Sequence, residues 1–462
     1  MGDVPNQLTV TNPFSGQVLG SVALASIGDV DHAVTVALQH LPPAPPAARA
    51  GILERAAGLV AARHDQLART IAAEAGKPLK QAQVEAARCV DTLTFAAVEA
   101  RTLVGQMVPV DASQSGAGKL GFTLREPVGV IAAISPFNFP LNLVAHKVAP
   151  AIAAGCPVVL KPSEETPLSA LALMEILCEA GLAPGALQIL NGPGETIGAA
   201  LTDHPDVAMI SFTGSAEVGW RLASNHPRIR VALELGNSTP VIVTADADLD
   251  EAAARIASSG FTHAGQSCVS VQRVIVEASV HDRLLHTLVA KVASLVVGDP
   301  LDPTTDVGPL ITTAARDRVV EWIAEATGCG ARIATGGDVR NGLLHPTVLT
   351  GVTQTMRVFR EEVFGPVVGL TSFRTIDEAI DLANATPYGL QAGIFTTHVD
   401  RAIGWARRLR FGAVLINETP TFRADQMPYG GVKDSGNTRE GPAAAVQSMT
   451  ESRLVVINLP DR

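Results

Sequence analysis

The chain has 462 residues, a formal net charge of −10 and 47% hydrophobic side chains, which fits an enzyme-sized α/β protein of two or three domains with a large core. Its Lys and Arg residues are scattered and no acidic block accompanies the net charge, which argues against nucleic acid as a partner. Its five cysteines, Cys89, Cys156, Cys178, Cys268 and Cys329, are odd in number and lack a paired C-x-x-C spacing, so neither a disulfide framework nor a zinc site is expected and a reducing cytoplasm fits best.

The opening MGDVPNQLTV has neither the basic start nor the apolar stretch of an export signal, and Asn6 stands where a myristoylation signal carries Ser or Thr. No apolar run approaches the ~20 residues of a spanning helix, so no membrane partner is expected. Residues 7–24 alternate apolar and polar side chains around Asn12-Pro13, which predicts a hairpin. PPAPPAA at 42–48 is a linker-like turn. The run from Ala47 to Ala75 repeats apolar residues at three and four and reads as one helix stopped by Gly76. A second helix follows from Leu79 to about Leu103 and packs on the first, with Cys89 in its core face. Residues 116–121 (GAGKLG) and the strand-like Phe122 to Arg125 form an excursion from the main body.

From Val128, β-branched runs alternate with helical ones: VGVIAAIS, LNLVAHKVAPAIAAG, PVVLK, PLSALALMEILCEAG, LQIL and VAMISF. Such alternation predicts a parallel, doubly wound sheet with sites at the carboxyl ends of its strands. Cys156 and Cys178 lie in apolar company and read as structural. A second series begins at Pro240 with PVIVTADADLD and the helix EAAARIASSG. It continues through RVIVE, a helix from His281, the Gly-rich GCGARIATGG, VVGLTSF, a helix from Ile376, AGIFTT and GAVLIN. The expected fold class is therefore α/β, with two doubly wound domains. The tail SRLVVINL is a lone strand that must pair backwards or with another subunit.

Chemistry is concentrated between Val231 and Arg273. Glu234 follows an apolar strand-like run, and Cys268 sits in a polar, glycine-bearing loop, outside the apolar company that makes most cysteines inert. The pair suits a nucleophile and its base; on spacing alone it equally suits a buried thiol and a capping carboxylate. Gly192-Pro193-Gly194 with Gly198 follows LQIL and opens a helix, as a dinucleotide-binding turn does, although the last glycine is one residue late. Gly214 to Gly219 follows VAMISF at a helix N-terminus, where free N–H groups favour a phosphate. Lys161 and Glu164, at the end of PVVLK, read alone as a surface lysine and a capping carboxylate.

Together, PFNFP (136–140), KPSEETP (161–167), SFTGSAEVG (211–219), LELGNSTP (233–240), GQSC (265–268), EEVFGPV (361–367) and MPYGGVKDSG (427–436) resemble the motifs of the aldehyde dehydrogenase superfamily. The resemblance holds in order and covers nearly the whole chain. It implies NAD(P)-dependent, hydrolytic oxidation of an aldehyde to a carboxylic acid by a homodimer or homotetramer. Cys268 would attack the aldehyde carbon as thiolate, so its pKa must fall from ~8.5 toward neutrality. Asn138 and the Cys268 N–H would hold the tetrahedral oxyanion, and Glu234 would activate the water that hydrolyses the thioester. Lys147 matches a lysine near the catalytic and cofactor groups.

The resemblance also places Lys161 and Glu164 at the adenine ribose, Ser215 in the pyrophosphate turn, and Glu362 with Phe364 at the nicotinamide ribose. Ser163, Gly194, Gly198, Phe212, Gly214, Gly219 and Leu235 complete the cofactor set. Glu164 can accept both ribose hydroxyls and repels a 2′-phosphate, which favours NAD; NADP stays open because Lys161 can hold that phosphate. The implied organisation is a cofactor-binding domain from 1–105 and 128–236, a catalytic domain from 237–440, and a small β oligomerisation element from 106–127 and 447–462. Two segments depart from the pattern: Asn237 replaces the second glycine of ELGG, and Thr438 replaces a glycine before Arg439-Glu440-Gly441.

Three Trp and two Tyr leave little aromatic lining for a large apolar substrate. The segment Phe422-Arg423-Ala424-Asp425 resembles relatives acting on lactaldehyde and on phosphonate, sulfonate or phosphate-bearing aldehydes. Arg423 and His146 would then hold a polar or anionic tail. In the bland alternative Arg423 pairs with Asp425 or another subunit, and His146 merely packs. Glu234 speaks against a CoA-acylating relative, and intact Cys268, Glu234 and Asn138 against a silent homologue.

Overall fold

The computed structural model describes residues 7–459. Residues 1–6, on which the export and myristoylation readings fall, and 460–462, the end of the tail element, lie outside the described residues. Two sheets dominate. The first runs in the order Leu187–Ile189, Val158–Lys161, Val130–Ile134, Val207–Thr213, Arg230–Glu234, with every pair parallel. Val130–Ile134 is central and the chain winds outward from it in both directions, so a crevice opens at its carboxyl end. Helices cover both faces, which is why these strands are continuous apolar runs.

The second sheet has seven strands: Arg332–Thr335, Thr347–Thr350, Val367–Phe373, Val271–Glu277, Thr239–Val243, Gln391–Phe395 and Ala413–Ile416. All its pairs are parallel except the first. The α/β expectation is met. Only Leu235, Gly236, Asn237 and Ser238 separate the last residue of the first sheet, Glu234, from the first residue of the second sheet's Thr239–Val243 strand. The carboxylate is therefore fixed at the seam by both sheets.

The hairpin forms as Gln7–Thr11 against Val18–Ala23. The expected single helix from Ala47 to Ala75 is two helices, Pro46–Ala62 and His64–Ala75, broken at Arg63 (φ −105°, ψ 17°). Side chains on each side of the break anchor to different neighbours: Arg63 pairs with Glu179, and His64 bonds the Gln83 carbonyl at 2.9 Å. Gly76 ends the second helix with φ 65°, and Leu79–Thr102 follows as expected. The tail strand Thr450–Asn458 pairs backwards, antiparallel with Lys119–Pro127, and leaves Leu454, Val456 and Ile457 exposed. Cys89 and Cys156 are buried; Cys178, read as structural, faces solvent on the outer side of Pro167–Glu179. Among the described residues no helix is long and apolar enough to cross a membrane, and no cluster of side chains has the makeup of a metal site.

Candidate active site

After the helix Leu249–Phe261 the backbone of His263, Ala264 and Gly265 turns left-handed, with φ of 50°, 53° and 73°. A Cβ on Gly265 would stand 2.1 Å from the Gly365 carbonyl oxygen, so only glycine lets this loop seat against the 361–367 segment. The buried Gln266 side chain then fastens the loop. Its amide donates to the carbonyls of His263 (3.1 Å) and Pro309 (3.4 Å), and its oxygen accepts from the Ile311 N–H at 2.8 Å. Its backbone carbonyl accepts from the Asn138 amide at 2.9 Å, which ties Asn138 to the loop carrying Cys268.

Cys268 Sγ lies 3.0 Å from the Tyr429 hydroxyl. Burial pushes the thiol up to about 12; the Tyr429 hydrogen bond and the Arg423 charge oppose it, while Glu362 and Glu234 add to it. A thiol shifted toward neutrality was expected, and in this structure desolvation outweighs the nearby donors.

Glu234 is buried, and neither carboxylate oxygen has a hydrogen-bond partner among the described residues. Burial first, then repulsion from Glu440, push it well above the usual carboxylate range, against Arg423, Lys147 and Arg439. Burial would also raise Glu440, but Lys147 at 3.4 Å and Arg423 at 3.2 Å hold it down at about 2. The direct ion pairs thus favour charge on Glu440 and disfavour it on Glu234. Lys147 Nζ also donates to Thr213 (2.7 Å) and Ser211 (3.3 Å).

A cavity of about 300 Å³ reaches Cys268 and Glu234, walled by Phe139, Arg88, Arg423 and Tyr429 among others. The Arg423 guanidinium stacks 3.9 Å from the Tyr429 ring centre. Arg423 does not pair with Asp425. Arg88 grips Asp425 through two bonds of 3.0 and 2.8 Å, and Asn142 and His146 add bonds of 3.0 and 2.9 Å. His146 was expected in the pocket and lies behind its wall, 1% exposed and absent from the cavity lining. The helix Asn142–Ala154 turns it toward the Asp425 carboxylate, and burial followed by the Arg423 charge lowers its pKa to about 4, so the ring is neutral. Its Nε2 lies 2.9 Å from the Asp425 carboxylate and 3.2 Å from the Arg423 guanidinium.

The crevice at the first sheet's carboxyl edge brings together much of the expected cofactor set. Lys161 Nζ lies 3.3 Å from Glu164, which also accepts from the Gly194 N–H at 3.1 Å. A Cβ on Gly194 would meet no heavy atom within 4 Å, and one on Gly198 would stand 3.8 Å from the Lys161 side chain. Ser215 caps the helix Ala216–Asn225, accepting from the Val218 N–H at 3.4 Å. A Cβ on Gly219 would stand 2.4 Å from Leu235, and one on Gly214 2.6 Å from the Phe212 ring. Two expected residues point elsewhere. The Ser163 hydroxyl bonds Glu165 at 2.7 Å, and the Phe212 ring is core, packed with Leu190, Ile197 and Leu201 beneath the sheet edge.

Across the crevice, Glu362 accepts from the Asn237 N–H at 3.0 Å, and burial raises it to about 7 against that bond and Arg318. A Cβ on Gly236 would lie 2.2 Å from this carboxylate, so the base loop and Glu362 touch. Phe364 adopts φ 49° and meets Phe137 edge to face, ring centres 5.8 Å apart. The buried Ser135 hydroxyl, just past the central strand Val130–Ile134, has no partner among the described residues. An unspent donor at the switch point, a lysine and carboxylate flanking side-chain-free turns, and a capped helix N-terminus together fit a dinucleotide.

Sequence reasoning gave no role to Arg88, Gln266, Tyr429 or Glu440. Three of these fall in or beside quoted motifs, which flagged the segments without the contacts; Arg88, in mid-helix, carried no signal.

The sequence matches the aldehyde dehydrogenase family over residues 2–455. It is 43% identical to the 3-sulfolactaldehyde dehydrogenase of Priestia aryabhattai, over 98% of this chain and 95% of that protein. The structure matches the glyceraldehyde-3-phosphate dehydrogenase GapN of Methanocaldococcus jannaschii complexed with NADP, with TM-score 0.94, 37% identity and coverage of 98% and 99% of the two chains. It matches aldehyde dehydrogenase 21 from Physcomitrella patens, in complex with the reaction product succinate, with TM-score 0.95, 38% identity and coverage of 99% and 96%.

Proposed function

The chain belongs to the aldehyde dehydrogenase family and is an NAD(P)-dependent aldehyde oxidoreductase, and from that premise we propose that its substrate is a small aldehyde with an anionic tail. The charge of the chamber supports this class. Among the groups that line it or pair with those that do, Lys77, Arg88, Lys147 and Arg423 face the carboxylates of Glu85, Asp425 and Glu440, while burial and Glu440 disfavour charge on Glu234. Two guanidinium groups, Arg88 and Arg423, thus face a confined space, where an anion is bound more strongly than in open solvent. The compounds named for the three relatives, sulfolactaldehyde, glyceraldehyde 3-phosphate and succinate, each carry an anionic group beyond the reacting carbon.

In this reading Cys268 Sγ adds to the aldehyde carbon. Asn138 spends one amide hydrogen on the Gln266 carbonyl and keeps the other for the oxygen that becomes negative. When bound, the cofactor supplies the hydride acceptor that turns this adduct into a thioester. Glu234 takes a proton from the water that attacks the thioester carbon, and Cys268 leaves with the electron pair. Lys161, Glu164, Gly194 and Ser215 hold the adenosine and pyrophosphate end, and Glu362 the nicotinamide ribose. The Glu164 carboxylate, braced by Lys161 and the Gly194 N–H, selects NAD over NADP.

We assign residues 1–105 and 128–236 to cofactor binding, 237–440 to catalysis, and 106–127 with 447–462 to assembly as a dimer or tetramer in a reducing cytoplasm. The exposed Leu454, Val456 and Ile457 supply the contact. Reduced-cofactor formation from 3-sulfolactaldehyde, glyceraldehyde 3-phosphate, succinic semialdehyde and hexanal tests the substrate class. An anionic aldehyde should give the highest kcat/KM; a lead for hexanal would sink it.

A further inference from the structure

We infer that the Tyr429 hydroxyl is a catalytic group that donates a hydrogen bond to the Cys268 thiolate and so sets how much nucleophile is present near neutral pH. The inference rests on Cys268 being the nucleophile. Tyr429 Oη lies 3.0 Å from Sγ, and no other side chain hydrogen-bonds that sulfur among the described residues. The ring is 3% exposed and packed with Val269, Leu390 and Met427, which fixes the hydroxyl against the sulfur. An ordinary phenol (pKa ~10) is a weaker acid than an ordinary thiol (~8.5). When the pair carries one negative charge, the proton therefore stays on oxygen and the sulfur accepts.

Arg423, stacked 3.9 Å from the ring centre, draws on the π face and makes the O–H a better donor. The other charged groups facing the sulfur act without contact: Glu234 and Glu362 oppose the thiolate and Arg423 favours it. Burial pushes the thiol up strongly, and the hydroxyl is the largest opposing influence. Tyr429 keeps its proton throughout, and the thiol proton is lost to solvent. As the S–C bond forms and the carbonyl π bond breaks, negative charge passes to the substrate oxygen and the hydroxyl loses its charged acceptor. The bond re-forms when the thioester is hydrolysed and thiolate departs, so the same donor aids both halves of the cycle.

The test is alkylation of Cys268 by iodoacetamide from pH 6 to 11 in the wild type and Tyr429→Phe, read on the Cys268 peptide because Cys178 and Cys329 are also exposed. Because burial sets the midpoint above this range, the readout is the rate below it: in Tyr429→Phe the rate at pH 7.5 should fall about tenfold and stay below wild type up to pH 11. A rate that is unchanged or higher overturns the inference. Since the chain has only two tyrosines, a Tyr388→Phe protein grown on 3-fluorotyrosine carries a more acidic phenol at 429 alone with the ring retained. Its Cys268 alkylation rate at pH 7.5 should rise relative to Tyr388→Phe, and an unchanged rate counts against the donor even if Tyr429→Phe misfolds. Turnover by Cys268→Ser separately tests the nucleophile, whereas thiol titration reads the hydrogen bond whether or not turnover occurs.

Discussion

Lys147 and Glu440 meet at 3.4 Å inside the wall that also buries Glu234, and this pair decides which of two neighbouring carboxylates is charged. Glu440 keeps its charge, and its repulsion is the largest influence after burial that raises Glu234. Replacing it by Gln removes that repulsion and frees Lys147 and Arg423 to act on Glu234 alone. A raised pKa that falls means the base is ionised at lower pH. The acid limb of kcat should therefore shift down by about one pH unit in Glu440→Gln, measured from pH 5 to 9. An upward shift would show that Glu440 passes the proton rather than merely repelling charge.

Asn138 and the Cys268 loop are joined through one bond, the amide to the Gln266 carbonyl at 2.9 Å. Losing an oxyanion donor costs about 3–4 kcal/mol at the transition state, so Asn138→Ala should lower kcat by roughly 10²–10³. Gln266→Ala should act differently, because the amide that bonds His263, Pro309 and Ile311 positions the loop without touching substrate. Its melting temperature should fall together with its rate, whereas Asn138→Ala should lose rate mainly. Calorimetry beside steady-state kinetics separates the two.

Much of the fold was legible because Val130–Ile134, Val158–Lys161 and Val207–Thr213 are buried on both faces and read as short β-branched runs between helical ones. The break at Arg63 was not, since a one-residue interruption leaves the spacing of apolar residues intact on both sides. The helix Ile27–Leu38 went unread although Ser26 and Asp29 form a capping box at its start. At the site, ordered motifs named Cys268, Glu234 and Asn138, but contacts across hundreds of residues stayed invisible. Arg88 looks like any helix surface residue until Asp425, 337 positions later, is seen in its grip. His146 was misplaced because sequence gives its neighbour on the helix and not the side the helix presents.

Burial would raise the Asp425 carboxyl, yet His146 and Arg88 hold it well below the usual carboxylate range. A carboxylate whose folded pKa is depressed adds stability above its unfolded pKa of ~3.9 and loses it as pH falls toward the folded value. Asp425→Ala strips Arg88 and His146 of their partner and should cost about 3–5 kcal/mol at pH 7. The gap between wild type and variant should narrow below pH 4 in urea unfolding. A constant gap would mean that packing, not charge, is what the carboxylate supplies.

Arg423 and Arg88 are the two guanidinium groups lining the chamber, and their partners differ: Glu440 for one, Asp425 for the other. Arg423→Lys keeps the charge but loses the flat stack on Tyr429 and the fork that suits a sulfonate, phosphate or carboxylate. A hydrogen bond to a charged group contributes about 1.5–3 kcal/mol, so kcat/KM for the best anionic aldehyde should drop at least tenfold in Arg423→Lys and further in Arg423→Ala. Hexanal should be affected much less, because its tail makes no charged contact. Arg88→Ala should raise KM for the anionic aldehyde with a smaller change in kcat, as expected for a group far from the reacting carbon. Equal losses for hexanal and the anionic aldehyde in all three variants would assign both arginines to holding the wall.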